Sequence, residues 1–289
     1  MKKISIASIL MALCLLLAGC STQGTATAPE SGVAIPQKDD WTYELSTRQE
    51  TGTAKAEDGR LLARYSYEIP EMTVYRIDGT PINTEKETGA AVDAAAAFNG
   101  YFADWLESQL AWFDEVSETA RQDYAARGKE KNSLWNQADF AYTDNMTASF
   151  WHNDHMATVT LRQNSFTGGA HGYAIRTAAN FDMSTGKSIT IAAMTGNSNG
   201  LQTAVEQELL RQAAERAAQS DSVYFAGYED TVKDWMERDI FFDDCGMTVV
   251  FAVYDIASYA DGEQAFTIPY DTIAPYLNNY GRTMLELGA

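Results

Sequence analysis

Residues 165–191 read SFTGGAHGYAIRTAANFDMSTGKSITI. Strand-like text breaks at Gly168 and Gly169, carries His171 into Gly172 and Tyr173, resumes as an apolar alternation, and breaks again at Ser184-Thr185-Gly186. Paired glycines open backbone angles closed to other residues and let a neighbouring chain approach closely. The loop therefore reads either as a tight turn in a β-sheet or as a shaped site. Its candidate ligand-binding residues are Gly168, Gly169, His171, Gly172 and Tyr173. The short connections on both sides predict antiparallel pairing.

The text around this stretch extends the same reading. Strand-like runs lie near 139–142, 146–151, 156–162, 174–182 and 187–191, with Asn153-Asp154 as a hairpin turn flanked by His152 and His155. Further upstream, Leu61, Ala63, Tyr65, Tyr67 and Ile69 alternate with Arg64, Ser66 and Glu68, the pattern of a half-buried strand, and a weaker strand over 41–47 can pair with it. Over 88–126 the period changes: Phe98, Phe102, Trp105, Leu106, Gln109, Leu110, Phe113 and Val116 fall three or four apart, as in an amphipathic helix. A joint or kink is expected at Asn99-Gly100, and Gly128 marks the end. Downstream come a helix over 201–219, a helical stretch at 229–236, and strands at 246–254 and 264–268. Strands segregated from helices, without a βαβ rhythm, predict an α+β fold in which antiparallel sheet packs with helices. Two consecutive subdomains are expected, at 41–164 and 165–289.

The N-terminus carries an address. Lys2 and Lys3 precede an apolar run over 4–17 that is shorter than the ~20 residues of a membrane helix, and small residues close it, as in an export signal. Leu17-Ala18-Gly19-Cys20 resembles the bacterial lipobox, so 1–19 is expected to be a lipoprotein signal peptide and Cys20 the lipidated residue. Residues 20–40, rich in Ser, Thr, Gly, Ala, Pro and Gln, read as a flexible tether spanning roughly 25 Å. The expected location is the outer face of the bacterial cytoplasmic membrane or cell envelope. The chain has a formal net charge of −19, and loss of Lys2 and Lys3 would make it more acidic still. That excludes nucleic acid as a natural partner and favours a cationic one. Of the three cysteines, Cys14 leaves with the signal and Cys20 carries lipid, so Cys245 is expected to have no partner within the chain.

No reaction is written in the motifs. There is no Gly-x-Ser-x-Gly elbow, no His-Glu-x-x-His and no phosphate loop. Three histidines, His152, His155 and His171, lie within a short stretch, but His-x-x-His across a turn lacks the common orientation that a helix gives. No catalytic residue, metal ligand or cofactor is assigned. A pair of wall-cleaving carboxylates would have to be placed in space before it meant anything.

Three blocks together resemble a bacterial domain of unknown function: residues 167–172 (TGGAHG), residues 181–187 (FDMSTGK), and residues 249–270 (VVFAVYDIASYADGEQAFTIPY). That domain is known from the extracellular part of RsiV-type anti-sigma factors, which sense lysozyme, and from the non-catalytic region of PdaC-type peptidoglycan deacetylases. The likeness covers about 166–277, with 41–165 similar to the companion domain that commonly precedes it. The resemblance implies an α+β fold and a binding role toward a lysozyme-like cationic protein or peptidoglycan. Because a lipobox replaces a membrane helix, this chain is not expected to pass a signal inward. Phe242-Asp243-Asp244-Cys245 only superficially echoes a deacetylase aspartate motif.

Overall fold

In the computed structural model, residues 34–36, 41–219 and 224–288 are described. The expected signal peptide, Cys20 and most of the expected tether lie outside them. The elements are β1 (Ala34–Pro36), β2 (Trp41–Lys55), β3 (Leu61–Arg76), α1 (Ala90–Arg127), β4 (Tyr142–His152), β5 (Met156–Phe166), β6 (Tyr173–Asp182) and β7 (Lys187–Ile189). They continue with α2 (Ile191–Met194), α3 (Ser198–Gln219), α4 (Tyr228–Lys233), β8 (Asp239–Asp243), β9 (Gly246–Phe251), β10 (Gln264–Ile268), α5 (Tyr270–Ile273) and α6 (Asn279–Met284). The fold is α+β. A seven-stranded sheet runs in chain order from β1 to β7, and a three-stranded sheet has the order β10-β9-β8.

Pairing is antiparallel throughout except between β3 and β4, where Ala63–Tyr67 runs parallel to Tyr142–Met146. The exception follows from α1, which carries the chain back along the sheet before β4 begins, as a parallel pair requires. Several boundaries differ from the sequence reading: the strand expected over 41–47 runs to Lys55, the one expected over 246–254 ends at Phe251, and two other differences have plain physical reasons. The strand expected to end at Ile69 continues to Arg76, because β4 has left β3 by Pro70 and an edge position tolerates a missing N–H. Part of the expected tether, β1, pairs with β2.

The expected kink at Asn99-Gly100 is absent, and α1 is continuous for 38 residues. Its Asn99 Oδ1 accepts the backbone N–H of Met72 at 2.8 Å, and its Nδ2 donates to the Met72 carbonyl at 3.0 Å. The amide thus serves as a strand would, satisfying the β3 edge that β4 has abandoned. Around this anchor Phe98, Phe102 and Phe181 form a fully buried triangle with ring centroids 4.6 to 5.5 Å apart. Burial of each such ring stabilises by roughly 1.5–3 kcal/mol.

The block at 181–187 is the turn from β6 to β7. Asp182 is buried and organises it, accepting Ser184 N at 2.9 Å and Ser184 Oγ at 2.6 Å on one oxygen and the Tyr280 hydroxyl at 2.8 Å on the other. Gly186, at φ 64°, lies so close to α1 that a Cβ there would fall 1.8 Å from the Ala94 carbonyl oxygen.

The smaller sheet docks on β5 and β6 through buried polar groups as well as apolar ones. Thr158 Oγ1 donates to Asn180 Oδ1 at 2.6 Å, and Asn180 Nδ2 donates to the Ile240 carbonyl at 2.8 Å. Asp239 accepts the Ala178 N–H at 2.9 Å, and burial pushes its carboxyl pKa up. The seven-stranded sheet is continuous across residue 164, where β5 pairs with β6 through ten register positions. The expected subdomain boundary therefore falls inside a strand. Separate hydrophobic clusters nonetheless lie under α1 and under α3.

Asp243 and Asp244 serve structure. Asp243 Oδ1 accepts the N–H groups of Cys245 at 2.7 Å and Gly246 at 3.2 Å in the β8–β9 turn, and Asp244 accepts the Trp151 indole N–H at 2.8 Å. Cys245, expected to have no partner within the chain, is disulfide-bonded.

Candidate functional site

The glycine-rich loop joins β5 to β6. Gly168 at φ 87° and Gly169 at φ 92° make the reversal, in a region of backbone space that side chains rarely enter. A Cβ at Gly168 would sit 3.0 Å from the Tyr142 hydroxyl, so that glycine also permits a close approach. His171 is exposed and stacks on Tyr259, with ring centroids 3.9 Å apart and planes 25° apart. The Tyr259 hydroxyl donates to the Gly172 carbonyl oxygen at 2.7 Å, and His171 Nδ1 lies 3.0 Å from the same oxygen. The loop is thereby fastened to the segment between β9 and β10.

The five candidate residues divide between two concavities. Gly168 and Gly169 border a small one of about 200 Å³ against Asp123, Arg127, Trp135 and Tyr142. His171, Gly172 and Tyr173 line a larger cleft of about 370 Å³, whose other walls are Trp112 from α1 and Tyr254 and Tyr259 from the β9–β10 segment. Three large aromatic side chains stand exposed there: Trp112 at 45 %, Tyr173 at 47 % and Tyr254 at 56 %. Tyr254 is at φ 72°, an unusual conformation for a bulky residue.

The neutral polar lining comes from Gln163, Ser165 and Thr167. Beneath it lies Asp144, fully buried. Its carboxylate accepts the Tyr67 hydroxyl at 2.5 Å, Gln163 Nε2 at 2.9 and 3.0 Å, and Ser165 Oγ at 2.5 Å. Burial, then the hydrogen bond to Asp144, pushes the Tyr67 hydroxyl pKa up, so Tyr67 remains a neutral donor. This network fixes the side chains of the cleft floor. From outside, Glu263 pairs with Arg176 at 2.7 Å and with Arg162 at 3.3 Å, tying the β9–β10 segment to β5 and β6.

The histidines are not brought together. His152 and His155 flank the β4–β5 turn, at the opposite end of β5 from His171, and burial pushes the His152 pKa down. Among the described residues no group of three His, Cys, Asp or Glu side chains is placed to hold a metal ion.

Because His171 is exposed and its ring contact is a surface stack, His171→Ala is expected to cost about 1 kcal/mol of stability or less. Thermal unfolding checks this. A loss beyond about 2 kcal/mol would make the histidine part of the scaffold.

The comparisons bear on the far wall of the cleft. Residues 195–271 match the family model described as Protein of unknown function (DUF3298). The DUF3298 match covers α3 to β10 and so includes Tyr254 and Tyr259, while Trp112 and the glycine-rich loop lie outside it. A crystal structure of a DUF3298 family member from Bacteroides fragilis superposes with a TM-score of 0.55 at 17% identity, covering 86% of this chain and 98% of that one. The two share a fold. A DUF3298 family protein from Pseudomonas aeruginosa PAO1 aligns with a TM-score of 0.45 at 17% identity, over 82% of this chain and 94% of that one. No curated protein matches the sequence.

Trp112, Tyr254 and Tyr259 were not singled out as site residues by sequence reasoning. Trp112 falls between members of the apolar stripe of α1, off its buried face. A tryptophan in that position, together with two tyrosines in an Asp- and Gly-containing segment between strands, is the signal that could have found them.

Proposed function

We propose that this protein is an extracellular binding module, held at the cell envelope through a lipid on Cys20, and that it engages its ligand at the aromatic cleft. The observation that carries this reading is the convergence of exposed Trp112, Tyr173 and Tyr254 on one concavity of about 370 Å³, drawn from three separate elements. A cleft of that size is within the range of ligand sites, and tryptophan and tyrosine are the side chains that dominate binding surfaces. Two ligand classes remain distinct. The net charge of −19 favours a cationic wall-active protein such as a lysozyme-like muramidase, reached faster through electrostatic steering. A lining without Asp, Glu, Lys or Arg favours a wall glycan.

Parallel pull-downs with lysozyme and with purified peptidoglycan, each at low and high salt, test the proposal. Capture of either ligand by the wild-type chain is expected to fall at least roughly tenfold in Tyr173→Ala, since a central aromatic anchor contributes ~2 kcal/mol. Salt-sensitive capture identifies the cationic protein. Full capture by Tyr173→Ala and Trp112→Ala alike would remove the cleft from the account.

A further inference from the structure

We infer that the cleft is a saccharide site that takes a neutral oligosaccharide of pyranose rings, with Trp112, Tyr173 and Tyr254 as stacking platforms. This rests on the reading that the cleft is the recognition site, and it goes further by naming the chemistry of the occupant.

Charge is the first argument. No Asp, Glu, Lys or Arg lines the cleft, although the chain has 40 acidic and 21 basic side chains. A pocket for an ammonium or guanidinium group needs a carboxylate or an enclosing aromatic cage, and a pocket for phosphate or carboxylate needs a cation. The carboxylate beneath the cleft, Asp144, is fully buried and already accepts from Tyr67, Gln163 and Ser165. The lining therefore offers a charged ligand no carboxylate, ammonium or guanidinium group, and its three platform rings, 45 to 56 % exposed, do not enclose one.

Amphipathic matching is the second. A pyranose ring presents C–H bonds on its faces and hydroxyls around its rim. The weakly positive C–H groups pack on the electron-rich face of an aromatic ring, and the rim needs neutral donors and acceptors. The cleft offers both. Besides its exposed rings it has the Thr167 hydroxyl and the Gln163 amide, whose nitrogen is committed to Asp144 and whose carbonyl oxygen is left as an acceptor.

Backbone strain, third, falls at an exposed ring. Tyr254 sits at φ 72° and is 56 % exposed, so the conformation holds outward a ring that contributes little to the core. Such strain, of the order of 1–3 kcal/mol, concentrates at ligand contacts. Tyr254 lies 5.9 Å from Tyr259, which the Gly172 carbonyl and His171 hold in place. The Tyr254 platform is thus set before a ligand arrives, which lowers the entropy lost on binding.

The test is titration calorimetry of the full mature chain with two neutral tetrasaccharides, chitotetraose and cellotetraose, and with a lysine tetrapeptide, at low and high salt. Saturable binding of at least one tetrasaccharide is expected, unchanged by salt and weakened at least about tenfold in both Trp112→Ala and Tyr254→Gly. Glycine at 254 accepts the positive φ, so that variant keeps its fold; Trp112→Phe retains a platform and should recover part of the affinity. Absence of binding by both tetrasaccharides, or binding indifferent to both variants, overturns the inference. If lysozyme capture falls in the same variants while neither sugar binds, the saccharide inference fails and the cleft remains the recognition site. If no ligand responds to either variant, both fail together.

Discussion

Gly186→Ala is expected to lower the unfolding midpoint by roughly 6–12 °C, the equivalent of about 3 kcal/mol in a domain of this size. Two effects add. Gly186 is at φ 64°, where an alanine is strained, and its Cβ would fall 1.8 Å from the Ala94 carbonyl oxygen, which belongs to helix backbone and cannot swing away as a side-chain tip would. Relief requires the β6–β7 turn to lift from α1, which opens the packing around Phe98 and Phe181. Gly100→Ala is the matched control. Gly100 lies within α1 with open space around its missing Cβ, so alanine there is expected to stabilise by up to about 1 kcal/mol through helix propensity alone. Calorimetric scans of the two variants should move in opposite directions, and a Gly186→Ala protein that melts with the wild type would show that the turn does not touch the helix.

Asp144→Ala is expected to destabilise by about 3 kcal/mol and to abolish ligand binding in the protein that remains folded. The substitution strips a common acceptor from Tyr67, Gln163 and Ser165, leaving a buried hydroxyl unpaired and two residues of the cleft lining unanchored. Asp144→Asn separates the two consequences. Its amide oxygen, standing for Oδ2, can still accept from Tyr67 and Gln163, so most of the stability should return, while the amide nitrogen, standing for Oδ1, cannot accept from Ser165 and that part of the floor stays loose. Chemical denaturation gives the first quantity and calorimetric titration the second. Equal stability of Asp144→Ala and wild type would mean that the network contributes nothing to the fold.

Much of this architecture was legible in the sequence, and the failures have local causes. The strand at Gln264–Ile268 was read with its observed limits, because Gly262 and Glu263 precede it and Pro269 follows. The helix over 90–127 was readable from its aromatic spacing, yet the expected kink was wrong. Asn99 and Gly100 look like helix breakers until Asn99 is seen bonded to Met72 on a strand 27 residues earlier, a contact that no local pattern encodes. The strand at Asp239–Asp243 was missed because acidic residues at both ends hide a five-residue alternation, and its Asp239 is held by Ala178 of a distant strand. The parallel β3–β4 pair escaped for a different reason: the short connections downstream predict antiparallel neighbours but do not describe the long one through α1, whose docking brings residues 63 and 142 side by side.

The candidate site was half legible. Glycines at 168, 169 and 172 flag a loop, and His171 and Tyr173 within it do line the cleft. Gly168 and Gly169 border the other concavity, against Trp135 and Tyr142. The opposite walls come from residues 112, 254 and 259, which only the tertiary fold assembles.

The most direct measurement is the amide and indole chemical-shift map of the isotopically labelled protein as solubilised cell-wall fragments are added. The account predicts the largest shifts at the Trp112 indole N–H and at the backbone of Tyr173, Tyr254 and Gly172, saturating together with one affinity. Saturable shifts confined to other surfaces, with those four signals unmoved, would contradict it.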